Sequence, residues 1–226
     1  MQSVNYGISA HYEDDRGRAY FEHQNSDGIV HGELEAHKFS RYIPPAQTIL
    51  DFGCGGGNLL RALSCTRKIG IEPNPHAREH AASLGIECYA SLDGVASQTA
   101  DVAISNHALE HVPSPIEALR QLRDKIVWGG VAVICVPMED WRSHRKFDPS
   151  DVDHHLYTWN PQLLGNTLLE AGFTVGPENL GILTHAWPPR FCSLLYRTLP
   201  ITVFDMLCKL TASALRRRQL VAVLSV

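Results

Sequence analysis

The chain lacks several features that would assign it quickly. Its six cysteines, at positions 54, 65, 88, 135, 192 and 208, contain no Cys-x-x-Cys pair. Several sit inside apolar runs, which points to buried thiols in a reducing compartment rather than to a disulfide framework. There is no excess of basic charge: the formal net charge is -4 with 19% charged residues, so the composition carries no global footprint for nucleic acid or an anionic membrane. No apolar run is long and clean enough to span a bilayer, because Leu194–Leu210 is interrupted by Arg197, Pro200, Asp205 and Lys209. No signal-like stretch opens the chain. Residues 1–25 are polar and carry Glu13, Asp14 and Asp15, which leads to the expectation of a cytoplasmic protein. Internal repeats and low-complexity segments are absent, and 226 residues suit one domain with a modest extension.

What the chain does have is glycine in one concentrated place. Ile49-Leu50-Asp51-Phe52 reads as a strand, Gly53-Cys54-Gly55-Gly56-Gly57 as a tight turn, and Asn58-Leu59-Leu60 as the start of a helix. Glycine tolerates positive φ and lets backbone approach a ligand closely. The turn is not a phosphate-cradling loop, which needs Lys followed by Ser or Thr where Asn58 and Leu59 stand. It is also a poor dinucleotide fingerprint, since the third small residue falls on Asn58 or Leu60. The pattern Asp-x-Gly-x-Gly-x-Gly, formed by Asp51, Gly53, Gly55 and Gly57, resembles the first motif of class I S-adenosylmethionine-dependent methyltransferases.

Around this motif, strands and helices alternate. Strands are expected at Thr48–Phe52, Lys68–Ile71, Glu87–Ala90, Ala100–Ser105, Val131–Val136, Phe173–Val175 and Leu220–Val226, with Gly129-Gly130 as a turn. Helices are expected at His31–Tyr42, from Asn58, at His76–Leu84, Pro115–Lys125 and Pro161–Ala171. Crossovers of this length argue an α/β fold: a Rossmann-like three-layer sandwich with a seven-stranded, mostly parallel sheet and an antiparallel last strand. The expected organisation is a single domain over 1–226, with an N-terminal helical lid (1–43), a cofactor-binding core (44–176), a helical insertion (177–219) and a closing strand (220–226).

Ligands in such sheets sit outside the carboxyl ends of the strands. Glu72 stands at one such end, where an acidic side chain can accept both hydroxyls of a ribose. The segment Asp101–Val112, with Asn106-His107-Ala108-Leu109-Glu110-His111, resembles the fourth-strand motif of the same superfamily, beside the methionyl part of the cofactor. Trp128-Gly129-Gly130 and His155–Phe173 resemble its later portions in small-molecule enzymes. The resemblance covers roughly residues 45–175 and implies S-adenosylmethionine as cofactor. Its candidate contacts are Asp51, Phe52, Gly53, Cys54, Gly55, Gly57, Asn58, Glu72, Pro73, Asn106, His107 and His111. Tyr20 is a candidate aromatic face for the sulfonium. The acidic residue often found directly after strand three is missing. Either Asp93 does that work from two places later, or backbone groups of Ser91 and Leu92 do.

Methyl transfer to oxygen gains from a base of near-neutral pKa, which makes His107, His111, His155 and Tyr157 the candidate catalytic or substrate-facing residues. His144 and His154 share the loop expected to cross the cleft. Asp151, Asp153, His154 and His155 imitate a metal cluster, but a crowded solvent-facing loop gives neither magnesium nor zinc its geometry, so no metal is expected. Tyr12, Tyr20 and Phe21 either close over the cavity or simply pack. The insertion, with Trp187–Phe191 and Arg216-Arg217-Arg218, is either an acceptor cover, a peripheral membrane contact through 190–219, or an ordinary packed helix in a monomer or homo-oligomer. The expected acceptor is the hydroxyl of a sugar, glycoconjugate or natural-product intermediate, with no nucleic-acid partner. No Asn/Asp-Pro-Pro-Tyr follows strand four, as it does in several amino-group methyltransferases. N- or C-methylation and a non-catalytic cofactor-binding scaffold remain as alternatives. A nicotinamide reductase would need a Tyr-x-x-x-Lys pair, which neither Tyr157 nor Tyr196 provides.

Overall fold

The computed structural model describes residue 12 and residues 14–25, 28–138, 146–151, 153–188 and 191–226. His144, Pro189 and Arg190 lie outside these. Strands β1 (Thr48–Phe52), β2 (Arg67–Ile71), β3 (Glu87–Tyr89), β4 (Ala100–Asn106), β5 (Ile126–Met138), β6 (Leu180–Leu183) and β7 (Arg218–Ser225) form one sheet in the order β3-β2-β1-β4-β5-β7-β6. β7 runs antiparallel to both β5 and β6, and the remaining pairings are parallel. This is the Rossmann-like sheet with a reversed last strand that the sequence leads one to expect.

The period of two along each central strand splits the core. Leu50, Ala103, Ala132 and Ile134 point to one face, where α5 (Pro115–Lys125) and α6 (Pro161–Glu170) contribute Leu119, Leu122, Leu164 and Leu168. Ile49, Val102, Ile104, Val133 and Cys135 point to the other, beneath α2 (Gly28–Ser40), α3 (Asn58–Ala62) and α4 (Pro75–Ser83), which supply Phe39, Leu60 and Ala81. Central strands buried on both faces read as continuous apolar runs, which is why β1 and β4 stand out in the sequence. α1 (Asp14–Gln24) lies N-terminal to these, and α7 (Cys192–Thr198) and α8 (Ile201–Leu215) connect β6 to β7.

Two expectations are corrected. Phe173–Val175 is not a strand. The Phe173 amide bonds back to the Leu168 carbonyl at 3.1 Å, closing the end of α6, so it is not available to a ladder. The sixth strand is Leu180–Leu183, inside the region expected to be a helical insertion, and the connection to β7 starts only after it. Gly129-Gly130 does not turn the chain. β5 continues through both, with Gly129 at φ 78°, and the register with β4 shifts between Ala100 and Val102. The shift leaves three extra residues on β5, since Ala100 pairs with Ile126 and Val102 with Val131, and an irregularity of this kind keeps the strand paired while bending it.

Candidate functional site

The glycine turn, the ends of β1, β2 and β4, and the two N-terminal helices enclose a cavity of about 540 Å³, a size that suits a cofactor-sized ligand. Its floor comes from the strand ends. Gly53 and Cys54 donate to the Ile71 carbonyl at 2.8 and 3.1 Å, so the turn after β1 is tied to the end of β2. Glu72, the next residue, is buried and accepts from the Gly55 amide at 2.9 Å and the Asn74 amide at 2.8 Å. Burial raises its carboxyl to about 7, against the pull of those two amides. Asp51 is buried in the same wall, and its Oδ1 has no hydrogen-bond partner among the described residues. Burial first, and then the Glu72 charge, push its carboxyl up to about 8.

The N-terminal helices supply the opposite contacts and are pinned to the core by side-chain amides. Asn74 Nδ2 donates to the Gly17 carbonyl at 2.7 Å, and Asn58 Nδ2 donates to Asn25 Oδ1 at 2.8 Å. Tyr12, Tyr20 and Phe21 reach the cavity wall. The Tyr12 hydroxyl lies 2.6 Å from His111 Nδ1, and the rings of Tyr12, Tyr20 and His155 surround that histidine. Burial, followed by Tyr20 and the nearby carboxylates, drives the Tyr12 hydroxyl far above its ordinary range. His107, with φ 54°, is held in a left-handed conformation uncommon for a side-chain-bearing residue. Burial and the Lys38 charge lower its imidazole to about 4, so it is neutral at physiological pH.

Most of the expected cofactor residues meet here: Tyr20, Asp51, Phe52, Gly53, Cys54, Gly55, Asn58, Glu72, Pro73, Asn106, His107 and His111 all line the cavity. Others do not. Gly57 is buried behind the turn at φ 80°, where an added Cβ would lie 2.5 Å from Ile86 Cδ1 and 3.0 Å from Ala81 Cβ. Its glycine is required by packing and backbone, not by the cavity. Gly57→Ala is expected to lower stability by about 2 kcal/mol through left-handed strain and overpacking. Urea unfolding measures this. Unchanged stability with lost cofactor affinity would instead make Gly57 a ligand residue.

Leu92 is turned into the core, and Asp93 is exposed on the turn that follows Ser91; none of the three belongs to the cavity lining. Tyr157 donates its hydroxyl to the Pro113 carbonyl at 2.7 Å, a bracing role away from the lining, and His155, also off the lining, packs edge-on against His111. Of Asp151, Asp153, His154 and His155, only His155 joins a group of potential ligands among the described residues, with Glu110 and His111, one potential ligand atom from each within 4.8 Å of the others.

Reading the sequence misses the other end of the cavity. Glu35 and Lys38, on α2, are buried and paired at 2.5 Å. Lys38 also donates to Asn106 Oδ1 at 3.0 Å and Gln219 Oε1 at 3.2 Å, and Glu35 accepts from Trp187 Nε1 at 3.0 Å and Asn106 Nδ2 at 3.0 Å. Glu35, Trp187, Gln219 and His31 line the cavity beyond His107. Their only sequence signal is an acid and a lysine three apart on an otherwise half-apolar helix.

The site accommodates a nucleoside cofactor with an amino-acid tail. Glu72 keeps lone pairs beyond the two amides it binds, Asp51 holds an acceptor oxygen toward the cavity, and Gly55 leaves open space where a Cβ would project. Comparison with known proteins bears on the same point. A tRNA U34 carboxymethyltransferase of Shewanella baltica is 31% identical over 134 residues, 50% of this chain and 39% of the relative. The chain thus spans well under half the length of that relative. A Thermotoga maritima S-adenosylmethionine-dependent methyltransferase, described as a possible histamine N-methyltransferase, shares the fold with a TM-score of 0.66 at 16% identity, over 96% of this chain and 99% of that one. Phosphoethanolamine N-methyltransferase 2 of Haemonchus contortus, solved with S-adenosyl-L-methionine, has a TM-score of 0.61 at 13% identity, over 99% of this chain and 60% of that one. The methyltransferase domain family matches residues 21–177. The chain belongs to that family, as an S-adenosylmethionine-dependent methyltransferase.

Proposed function

We propose that this enzyme methylates a hydroxyl of a small molecule, a sugar, glycoconjugate or natural-product intermediate, in the cavity between the glycine turn and the N-terminal helices. The observation that carries this reading is the Tyr12–His111 pair, 2.6 Å apart, in the wall of the cavity that also holds Asp51 and Glu72. S-adenosylmethionine supplies a methyl group already activated on a sulfonium. The chain's residues hold it and remove a proton from the acceptor. Glu72 takes the ribose hydroxyls, Asp51 the ammonium of the methionyl tail, and the Gly53–Gly55 backbone leaves room for close approach. Helices α1 and α2 act as the lid over this core and exclude water.

Tyr12, hydrogen-bonded to Tyr20 and strongly resistant to ionisation, accepts a hydrogen bond from the Nδ1–H of His111. That tautomer leaves Nε2 to take the acceptor's hydroxyl proton. His107, neutral and a weak base, positions the acceptor together with Asn106. No Lewis acid is required, because the leaving group is already charged. The sequence relatives are named for tRNA U34, and that observation supports a second reading with a tRNA acceptor.

The test is a labelled-methyl transfer screen over sugars, nucleotide sugars, phenols, amines and tRNA. His111→Ala is expected to lower kcat by about 10²- to 10⁴-fold with cofactor affinity retained, and turnover is expected to survive EDTA. Turnover on tRNA alone would replace the small-molecule reading. Loss on chelation would assign the Glu110–His111–His155 group to a cation. Tight cofactor binding without any turnover would favour a scaffold.

A further inference from the structure

Helix α8 is apolar on two sides, and only one of them is covered. Phe204 and Cys208 turn inward, packing with Leu34 of α2 and with Trp187. Val203, Met206 and Leu210, at i, i+3 and i+7, make a second stripe that faces out; Met206 is 53% and Leu210 59% exposed. Phe191 and Leu194, at the start of α7, add further exposed apolar surface. A helix with apolar stripes on two sides belongs between two apolar phases. The protein's own core is one, and no described residue supplies the second. Clustered exposed side chains of this size mark a contact surface.

Charge selects the occupant. Between residues 191 and 218 stand Arg197, Lys209, Arg216, Arg217 and Arg218, all exposed, against the single acid Asp205, which His37 holds at 2.9 Å. Among the described residues none of the five has an ionic partner. The whole chain carries a net charge of -4, so this is a basic island on an acidic protein. A symmetric dimer through this face would bring the same arginines of both copies into one interface. An anionic lipid surface answers both features: acyl chains receive the stripe, while long arginine stems reach back to headgroup phosphates.

We propose that the outer face of α7 and α8 docks in the plane of an anionic bilayer surface. Among the described residues no helix is long and apolar enough to cross a membrane, so the contact is peripheral. Trp187 lines the cavity and also stacks on Phe204 of α8 at 6.2 Å. Docking therefore sets this wall of the cavity about one helix diameter, roughly 10 Å, from the lipid. An acceptor offered from the bilayer follows only if the proposed function holds; the docking does not depend on it.

The experiment is co-sedimentation of the full chain with phosphatidylcholine vesicles, with and without phosphatidylglycerol. Partition onto the anionic vesicles alone, weakening as salt rises, is the expected result. Arg216→Gln with Arg217→Gln is expected to lower the partition coefficient on the order of thirtyfold, and Met206→Ser with Leu210→Ser at least about tenfold. All four side chains are exposed, and calorimetric binding of S-adenosylmethionine confirms that each variant is folded. Failure of the native chain to bind anionic vesicles, or unchanged partition of the Met206/Leu210 variant, overturns the proposal. A dimer in sedimentation velocity that this variant dissociates, with no vesicle binding, assigns the face to a second copy. Vesicle binding by a chain that does not bind S-adenosylmethionine counts against the cofactor assignment and leaves the docking standing.

Discussion

Glu72→Ala is expected to weaken S-adenosylmethionine binding by on the order of a hundredfold or more, the loss of two charge-assisted hydrogen bonds to one diol. The effect is amplified by what Glu72 already does. Its carboxylate holds the Gly55 and Asn74 amides, so its removal also frees the turn that borders the cavity. The titration adds a signature that a merely structural residue would lack. Burial raises Glu72 to about 7 and Asp51 to about 8, while a diol and an ammonium favour the anions. Affinity therefore rises with pH between about 6 and 8, and binding releases protons, which calorimetry in buffers of different ionisation enthalpy reads directly.

The sign for stability is opposite. A carboxyl whose folded pKa lies above its unfolded value gives stability that is full below the unfolded pKa and lost as pH rises through the folded one. The ligand-free fold is thus weakened by both groups above about pH 8. Asp51→Asn should stabilise the ligand-free protein there while weakening the cofactor. An affinity independent of pH, with proton release absent, would remove Asp51 and Glu72 from the contacts proposed for them.

Local patterns made the glycine-turn half of the cavity legible. Asp51, the glycine turn and Glu72 lie within one strand–turn–helix–strand unit, and each falls where a parallel strand ends, so spacing alone brings them together. Physical ambiguity accounts for the misreadings. Phe173-Thr174-Val175 has strand composition, but helix capping claims its amide. Leu180–Leu183 is a short edge strand with a glycine inside it, and carries little pattern. Gly129-Gly130 serves a bulge as well as it would a turn. Gly57 and Leu92 belong to motifs whose spacing says which segment nears the ligand, not which side chain faces it. The far end of the cavity was illegible for a different reason: Glu35 and Lys38 sit on one helix as any solvated i,i+3 pair would. Their burial depends on Asn106, 68 residues from Lys38, and on Gln219, 181 residues away, and no local period encodes that.

That network carries the largest stability effect expected outside the hydrophobic core. Lys38 is 1% and Glu35 6% exposed. Burial alone would raise the Glu35 carboxyl, but the Lys38 charge overrides it and holds the group down at about 2, and the Lys38 ammonium is raised in turn. Lys38→Ala leaves a buried carboxylate with Asn106, Trp187 and more distant His31 as partners, and is expected to destabilise the fold by about 3–5 kcal/mol.

The pH dependence separates this from lost packing. A depressed carboxyl contributes stability that is present above its unfolded pKa and lost as pH falls through the folded one, here between about 4.5 and about 2. In Lys38→Ala that contribution is gone and Glu35 protonates more readily, so the deficit relative to the native chain should be largest near neutrality and shrink toward pH 4. Glu35→Gln combined with Lys38→Met should recover much of the loss, because a neutral pair asks for no ionic compensation. The measurement is urea unfolding of the four proteins of this cycle across that pH range. A deficit equal at pH 4 and pH 7, with no recovery in the double variant, would mean that the lysine's aliphatic stem, rather than its charge, holds α2 against β4 and β7. In that case the polar rim at this end of the cavity would survive in Lys38→Met alone.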